Sequence, residues 1–357
     1  MTTKPTYSLL ILILCINCSS DSSQTKQTPT ETAYFPALTG TSWETKSIKN
    51  LGWKHDAVQP LLDYLELKHS KSFIILVNGK IVMENYFNGH SATSNWYWAS
   101  AGKTLTATLT AIAEQEGHLN INNKVSDYIG TAWTSLPLAK ENLITNKHLL
   151  TMTSGLEDVD NGDAIDPASL TYKADAGTRW AYHNVYVKLQ DVVAKVSDQS
   201  WSNYFNSRLR DKIGMDGAWV QSGNNSVYAS TTRSMARFGL LMANRGKWAN
   251  TIILNEIYFN AATNTSQNIN LGYGYLWWLN GKSSYHLPQS QLQFNGSIIP
   301  SAPNDMFMAL GKNDQKIYVI PSKNMVVIRM GDAADNVNLV LSDFDTVLWQ
   351  KISALYQ

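Results

Sequence analysis

Residues 72–77 read SFIILV and residues 80–87 read KIVMENYF, two β-rich runs separated by Asn78-Gly79. Both central positions of a two-residue hairpin turn need positive φ, which Asn and Gly adopt at low cost, so this pattern predicts a β-hairpin. Short apolar runs return near the C-terminus at 306–310, 316–320 and 325–330, the last two divided by the turn sequence Pro321-Ser322-Lys323-Asn324. The period then changes: Val337, Val340, Leu341, Phe344, Val347, Leu348, Ile352 and Leu355 form a helical stripe over 337–356. Strands therefore sit at both ends of the body, and helical patterns with long polar loops fill the stretch at about 100–265. The economical arrangement is α+β: one antiparallel sheet built from both chain ends, flanked by helices, with a mostly helical insert. No internal repeat is visible.

The N-terminus follows another logic. Residues 9–16 are eight apolar residues in a row, too short to span a bilayer but suited to the core of a signal peptide, and Lys4 precedes them. Residues 19–32 carry no large apolar side chain, so they cannot bury enough surface to fold and read as the start of a polar tether. Cys18, ending the apolar run before Ser-Ser-Asp, resembles the lipidated cysteine of a bacterial lipoprotein signal, with Cys15 as a competing site and a cleaved secretory signal as the plainer alternative. The expected organisation is a lipoprotein-type signal at 1–18, a tether at 19–40 and one domain at 41–357. The expected location is exported, either periplasmic or membrane-anchored through lipid alone.

Composition narrows the function. Lys and Arg number 29 against 28 Asp and Glu, a net charge of +1, which leaves no global field to draw in nucleic acid. The only cysteines are Cys15 and Cys18, so the body has no disulfide, thiol nucleophile or cysteine metal site. The histidines show no ligand spacing, and G-x-S-x-G, G-x-x-x-x-G-K-[ST] and H-E-x-x-H are all absent. No metal and no cofactor is expected. The carboxylates Glu157, Asp158, Asp160, Asp163 and Asp166 crowd one loop without the order of a calcium loop, and read as the solvated rim of an active site.

Ser100-Ala101-Gly102-Lys103 is an S-x-x-K, a motif that chance also supplies: Ser23 and Lys26 repeat it in the polar leader. Ser100 differs by its placement at a predicted helix start, since Leu105, Leu109 and Ile112 recur at i, i+4 and i+7 and Gly117 ends the run. The first turn of a helix has unpaired N–H groups and a positive dipole end, which suit a developing oxyanion. Lys103, three residues on, shares the face of Ser100 and can reach its hydroxyl. The bland alternative is an N-cap serine beside a solvated lysine.

Further segments carry a resemblance. Ser-x-x-Lys entering a buried helix is similar to the first motif of the serine β-lactamase and penicillin-binding protein superfamily. His148-Leu149-Leu150-Thr151-Met152-Thr153-Ser154-Gly155-Leu156 resembles the HLL-x-x-TSGL segment of its class C, esterase and 6-aminohexanoate-dimer hydrolase branch. Gly177-Thr178-Arg179-Trp180-Ala181-Tyr182-His183-Asn184 resembles that branch's second motif, and 309–319 resembles its third-motif strand. Ser234 to Gly239 and Gly272 to Trp278 are also similar to family segments. The resemblance covers about residues 52–350.

It implies a β-lactamase/transpeptidase-like fold and hydrolysis of a small ester or amide through an acyl-serine. Ser100 would be the nucleophile, with Tyr182 and Lys103 as the base pair. Asn184 would hold Lys103 and the substrate, and Lys312 would bind a substrate carboxylate or face Tyr182. The N–H groups of Ser100 and Gln315 would form the oxyanion hole. Alternatives on the same scaffold are a 6-aminohexanoate-oligomer or peptide amidase, a penicillin-binding sensor, or a non-catalytic surface lipoprotein. His183 is expected to face outward, with a Ser100–His183 dyad as a minor alternative. Trp277 and Trp278 either wall the acyl pocket or pack a sheet. Asp314 stands where the family has a glycine that lets the strand pass the Ser–Lys helix, so either the strand is displaced or the carboxylate points out. Both would make β-lactams poor substrates.

Overall fold

A computed structural model describes residues 1–2, 32–159, 163–223, 225–335 and 343–357. Cys15, Cys18 and the start of the tether lie outside the described residues, as does the beginning of the C-terminal stripe.

The elements that position the site run in this order: α1 (Val58–Leu67), β1 (Ser70–Val77), β2 (Lys80–Tyr86), β3 (Trp96–Tyr97), α2 (Lys103–Gln115), α3 (Lys188–Ser197), β4 (Ala218–Ser222), β5 (Asn225–Ser230), α4 (Thr232–Ala243), β6 (Trp278–Leu279), β7 (Phe307–Gly311), β8 (Gln315–Ile320), β9 (Met325–Gly331) and α5 (Asp343–Tyr356). Six strands form one sheet in the order β2-β1-β9-β8-β7-β6. Every neighbouring pair in it is antiparallel. The N-terminal hairpin thus lies against the last strand, as the pattern of the two chain ends predicts. Its turn has the expected dihedrals, with φ of 50° at Asn78 and 78° at Gly79. The strands β8 and β9 are buried throughout, because helices cover both faces. On one face α1 meets α5, where Tyr64 stacks on Phe344 at 5.6 Å. On the other, α4 packs so closely that a Cβ on Gly239 would lie 2.5 Å from Val326 Cγ1.

The insert is less purely helical than its sequence pattern suggests. It contains a separate three-stranded sheet, β3-β5-β4, and a two-stranded ribbon, Lys247–Trp248 with Thr251–Ile252. The ordered body also begins earlier than the expected tether boundary. Tyr34 N–H donates to Asn78 O at 2.9 Å, and Arg237 donates to Ala37 O at 2.7 Å. Ala33–Gln357 is one compact unit. Among the described residues, no helix is long and apolar enough to cross a membrane.

Candidate active site

Ser100 is not a helix N-cap. It lies inside a 3-10 turn, Ala99–Gly102, that runs directly into α2, and no side chain caps either start. The preceding strand anchors this turn through Trp98, which is wholly buried and donates from Nε1 to Ser230 Oγ at 2.8 Å. Ala99 has φ of 48°, a left-handed conformation that costs a non-glycine residue about 1 kcal/mol or more. Local strain thus sits directly before the serine, and no sequence signal announced it.

Lys103 Nζ lies 2.8 Å from Ser100 Oγ. The lysine is 7% exposed, and burial lowers its pKa to about 8, while Asp163 pulls in the opposite direction. Two phenol rings flank the ammonium, Tyr182 at 4.9 Å and Tyr186 at 4.5 Å from Nζ to the ring centroids. Tyr182 also hydrogen-bonds to Ser100. Burial raises its pKa above the ordinary phenol value, against the lowering effect of that bond. Tyr182 is held from behind by Trp278 at 5.6 Å and Trp180 at 6.2 Å. The segment containing Thr151-Met152-Thr153 braces this loop, since Ala181 N–H donates to Met152 O and Gly177 N–H to Thr153 O, both at 2.8 Å.

Two expectations about this loop change. His183 does not face outward. It is buried with Nε2 3.2 Å from Ser154 Oγ, and burial, followed by Arg179 and Lys103, lowers its pKa to about 3. A neutral imidazole hydrogen-bonded to Ser154 leaves the Ser100–His183 dyad without support. Asn184 donates from Nδ2 to the backbone oxygen of Asp163 at 3.1 Å rather than holding Lys103. Of the two open alternatives for Trp277 and Trp278, packing holds: both are 1% exposed, Trp277 against Phe307 at 5.1 Å and Trp278 against Tyr182 at 5.6 Å, and neither lines the cleft.

The third segment departs furthest from expectation. The close crossing over the serine turn occurs at Gly311, where a Cβ would lie 2.4 Å from Trp98 O and 3.1 Å from Ala101 N. The required glycine is therefore present, and the strand is not displaced. After it, Asn313 and Asp314 both adopt positive φ, 60° and 59°, and turn the chain back into β8. Asp314 points neither into the site nor out to solvent. It is 1% exposed and pairs with Lys316 at 3.1 Å, and Ala334 N–H donates to it at 3.0 Å. Neither expected reason for poor β-lactam turnover, a displaced strand or an outward carboxylate, is present.

Gln315 is wholly buried and sits opposite Gly311 in the ladder. Its side chain closes the turn, donating to Asn313 O at 2.9 Å and to Gly331 O at 2.6 Å. Lys312 alone of this segment reaches the cleft. The cleft has a volume of about 660 Å³, and Ser100, Lys103, Asp163, Asn184, Tyr186 and Lys312 line it. The acidic loop contributes only Asp163 to this wall among its described carboxylates. Glu157 pairs with Lys173 and Asp158 with Arg179, each at 2.7 Å, and Asp160 lies outside the described residues. Among the described residues, no group of three His, Cys, Asp or Glu could hold a metal. Tyr186 was not singled out from sequence, and Asp163 only as one carboxylate of the acidic loop. Tyr186 was detectable only as a second tyrosine on the first turn after the Y-x-N segment.

The β-lactamase family model matches residues 68–337, and the chain belongs to that family. A Bacillus anthracis structure, by name a 6-aminohexanoate-dimer hydrolase, superposes with a TM-score of 0.67 at 19% identity, covering 89% of each chain. A class C β-lactamase in complex with cefoxitin gives 0.64 at 18% identity, covering 86% of this chain and 99% of that one. PbpX of Bacillus subtilis (strain 168), by name a penicillin-binding protein, is 28% identical over 244 residues. That match takes in 60% of this chain and 60% of the relative's length. The structural likenesses define a β-lactamase/transpeptidase-like fold, and fold and family together support a hydrolase.

Proposed function

We propose that the chain cleaves an ester or amide of a small molecule through an acyl-enzyme on Ser100. The observation that carries this is the 2.8 Å contact between Ser100 Oγ and a buried Lys103 whose pKa is lowered to about 8. A lysine in that range is neutral often enough near neutral pH to accept a proton, which an ordinary lysine is not. Tyr182 has its pKa raised, so it rests as a neutral phenol and serves as proton donor rather than as the primary base.

In the first half-reaction the Ser100 proton passes to Lys103 as Oγ bonds to the acyl carbon. The oxyanion that forms is held by the N–H of Ser100, in the turn that Gly311 crosses; Gln315, buried behind that crossing, does not line the cleft. When the tetrahedral species collapses, the leaving group takes a proton from Tyr182, and the proton that Lys103 received from Ser100 restores the phenol, leaving Lys103 neutral. Water then enters, loses its proton to the same pair, and releases the acid and free Ser100.

A fluorophosphonate probe should label the wild-type protein and fail to label Ser100→Ala protein of unchanged circular dichroism. Labelling that survives the substitution would overturn the assignment of the nucleophile. The expected export and anchoring rest on Cys18 and the polar stretch behind it. Metabolic palmitate label should follow the wild-type chain and vanish in Cys18→Ser. Label lost instead in Cys15→Ser would move the anchor, and no label at all would leave an unanchored protein.

A further inference from the structure

One wall of the cleft is made by a face of the small sheet rather than by loops. Residues of β4 and β5 pair in register as Ala218 with Ala229, Val220 with Val227, and Ser222 with Asn225, and Tyr97 of β3 also pairs with Ala229. Alternate residues of a strand share a face. Ala229, Val227, Val220, Ser222 and Asn225 all line the same cleft as Ser100. The opposite face carries Trp219 and Tyr228, whose rings meet at 5.3 Å and pack on Phe205 in the interior. Among the described residues the cleft face has no such cover: Val220 is 53% exposed.

The rows run from the junction with β3 to the open end of the β4–β5 hairpin. The Ala229 row pairs with Tyr97, Trp98 N–H donates to Tyr228 O at 2.8 Å just before the Ser100 turn, the two valines come next, and the Ser222–Asn225 row is last. Same-face rows are about 7 Å apart, so the valines lie about 7 Å beyond Ala229 and the polar pair about 14 Å beyond it. None of these rows carries a charge, whereas Lys312 and Asp163 belong to other walls. Uncovered aliphatic surface inside a catalytic cleft gains by burial against a substrate chain, and a polar row at its far end sets a limit to that gain.

We propose that this face is a binding lane for a linear, uncharged aliphatic chain attached to one side of the scissile bond. Val220 and Val227 grip the chain, and Ser222 with Asn225 mark where apolar contact ends. The proposal rests on the acyl-Ser100 reading for its place in the reaction and names the substrate class of that site.

Two ester series test it: p-nitrophenyl esters from acetate to decanoate, and alkyl acetates from ethyl to hexyl. In one of the two series, kcat/KM should rise about two- to fourfold per added methylene, then level off by decanoate or hexyl. The series that shows the gradient identifies whether the acyl or the alcohol chain occupies the lane. Val220→Asp should flatten it. Ile257→Asp should keep it, since Ile257 is 85% exposed on the short helix Glu256–Ala262 and lies outside the cleft. Flat series on both sides, or a gradient that survives Val220→Asp, would overturn the lane. Calorimetry on Ser100→Ala protein reads the lane without turnover. Hexanamide should bind about tenfold or more tightly than acetamide, and Val220→Asp should remove the difference. Equal binding of the two amides would overturn the lane whatever the nucleophile does. A binding gradient in a wild type that turns over no ester would instead overturn the acyl-serine reading and leave the lane standing.

Discussion

Lys103→Ala and Tyr182→Phe should each lower kcat/KM about a thousandfold, and the double variant should be no worse than the more damaged single. The reason is geometric. Both groups act on one hydroxyl, Lys103 at 2.8 Å and Tyr182 through its own hydrogen bond to Ser100, so removing either breaks the same proton path. A double variant that falls by the full product of the two singles would show independent roles and defeat the relay. The pH profile gives a separate check. Lys103 accepts a proton only when neutral, and burial lowers its pKa to about 8. The wild-type rate should therefore climb with pH through about 8 and level off above it. That limb belongs to Lys103 and should be absent from the residual activity of Lys103→Ala.

The second large effect is on stability. Asp314→Gly should destabilise the protein by about 3 kcal/mol, because it removes one partner from a buried set of charges. Lys316 lies between Asp314 at 3.1 Å and Asp345 at 2.9 Å, and Lys316 itself is 0% exposed. Arg329, wholly buried beside them, donates to Asn313 O at 3.0 Å and Asp314 O at 3.1 Å. Deleting Asp314 leaves an excess of positive charge with no solvent to screen it. Burial by itself would raise the Asp314 pKa, but Lys316, the Ala334 N–H and Arg329 together bring it below the ordinary value. A carboxylate with a lowered folded-state pKa stabilises the protein above its unfolded pKa and loses that contribution as pH falls through the folded one. The gap between wild type and Asp314→Gly in urea unfolding should hold at neutral pH and close below about pH 4. A variant as stable as wild type at pH 7, with altered turnover of a β-lactam, would return Asp314 to the site.

Much of this was readable from the chain because the signals were local. Asn78-Gly79 between two alternating runs determines a hairpin by turn geometry, and Ser100 and Lys103 meet because three residues make about one helical turn. The parts that were missed depend on the third dimension. β3 is two residues long and pairs with β5 far along the chain, so no periodicity marks either as one sheet. The direction of Asp314 could not be read because Asn313 and Asp314 both take positive φ without being glycine, which breaks the alternation that strand reasoning uses. Asn184 fits a motif by spacing, yet its hydrogen bond is set by where the acidic loop returns, and spacing does not encode that.

Gly311 imposes an asymmetry on how this chain can diversify. A Cβ there would lie 2.4 Å from Trp98 O and 3.1 Å from Ala101 N, so any larger residue at 311 would have to push the strand off the serine turn. Lys312, the very next residue, is exposed on the cleft wall and meets no comparable obstacle. A lineage can therefore retune what the cleft admits by single steps at 312 or along the open strand face, while the crossing that assembles the chemistry stays fixed.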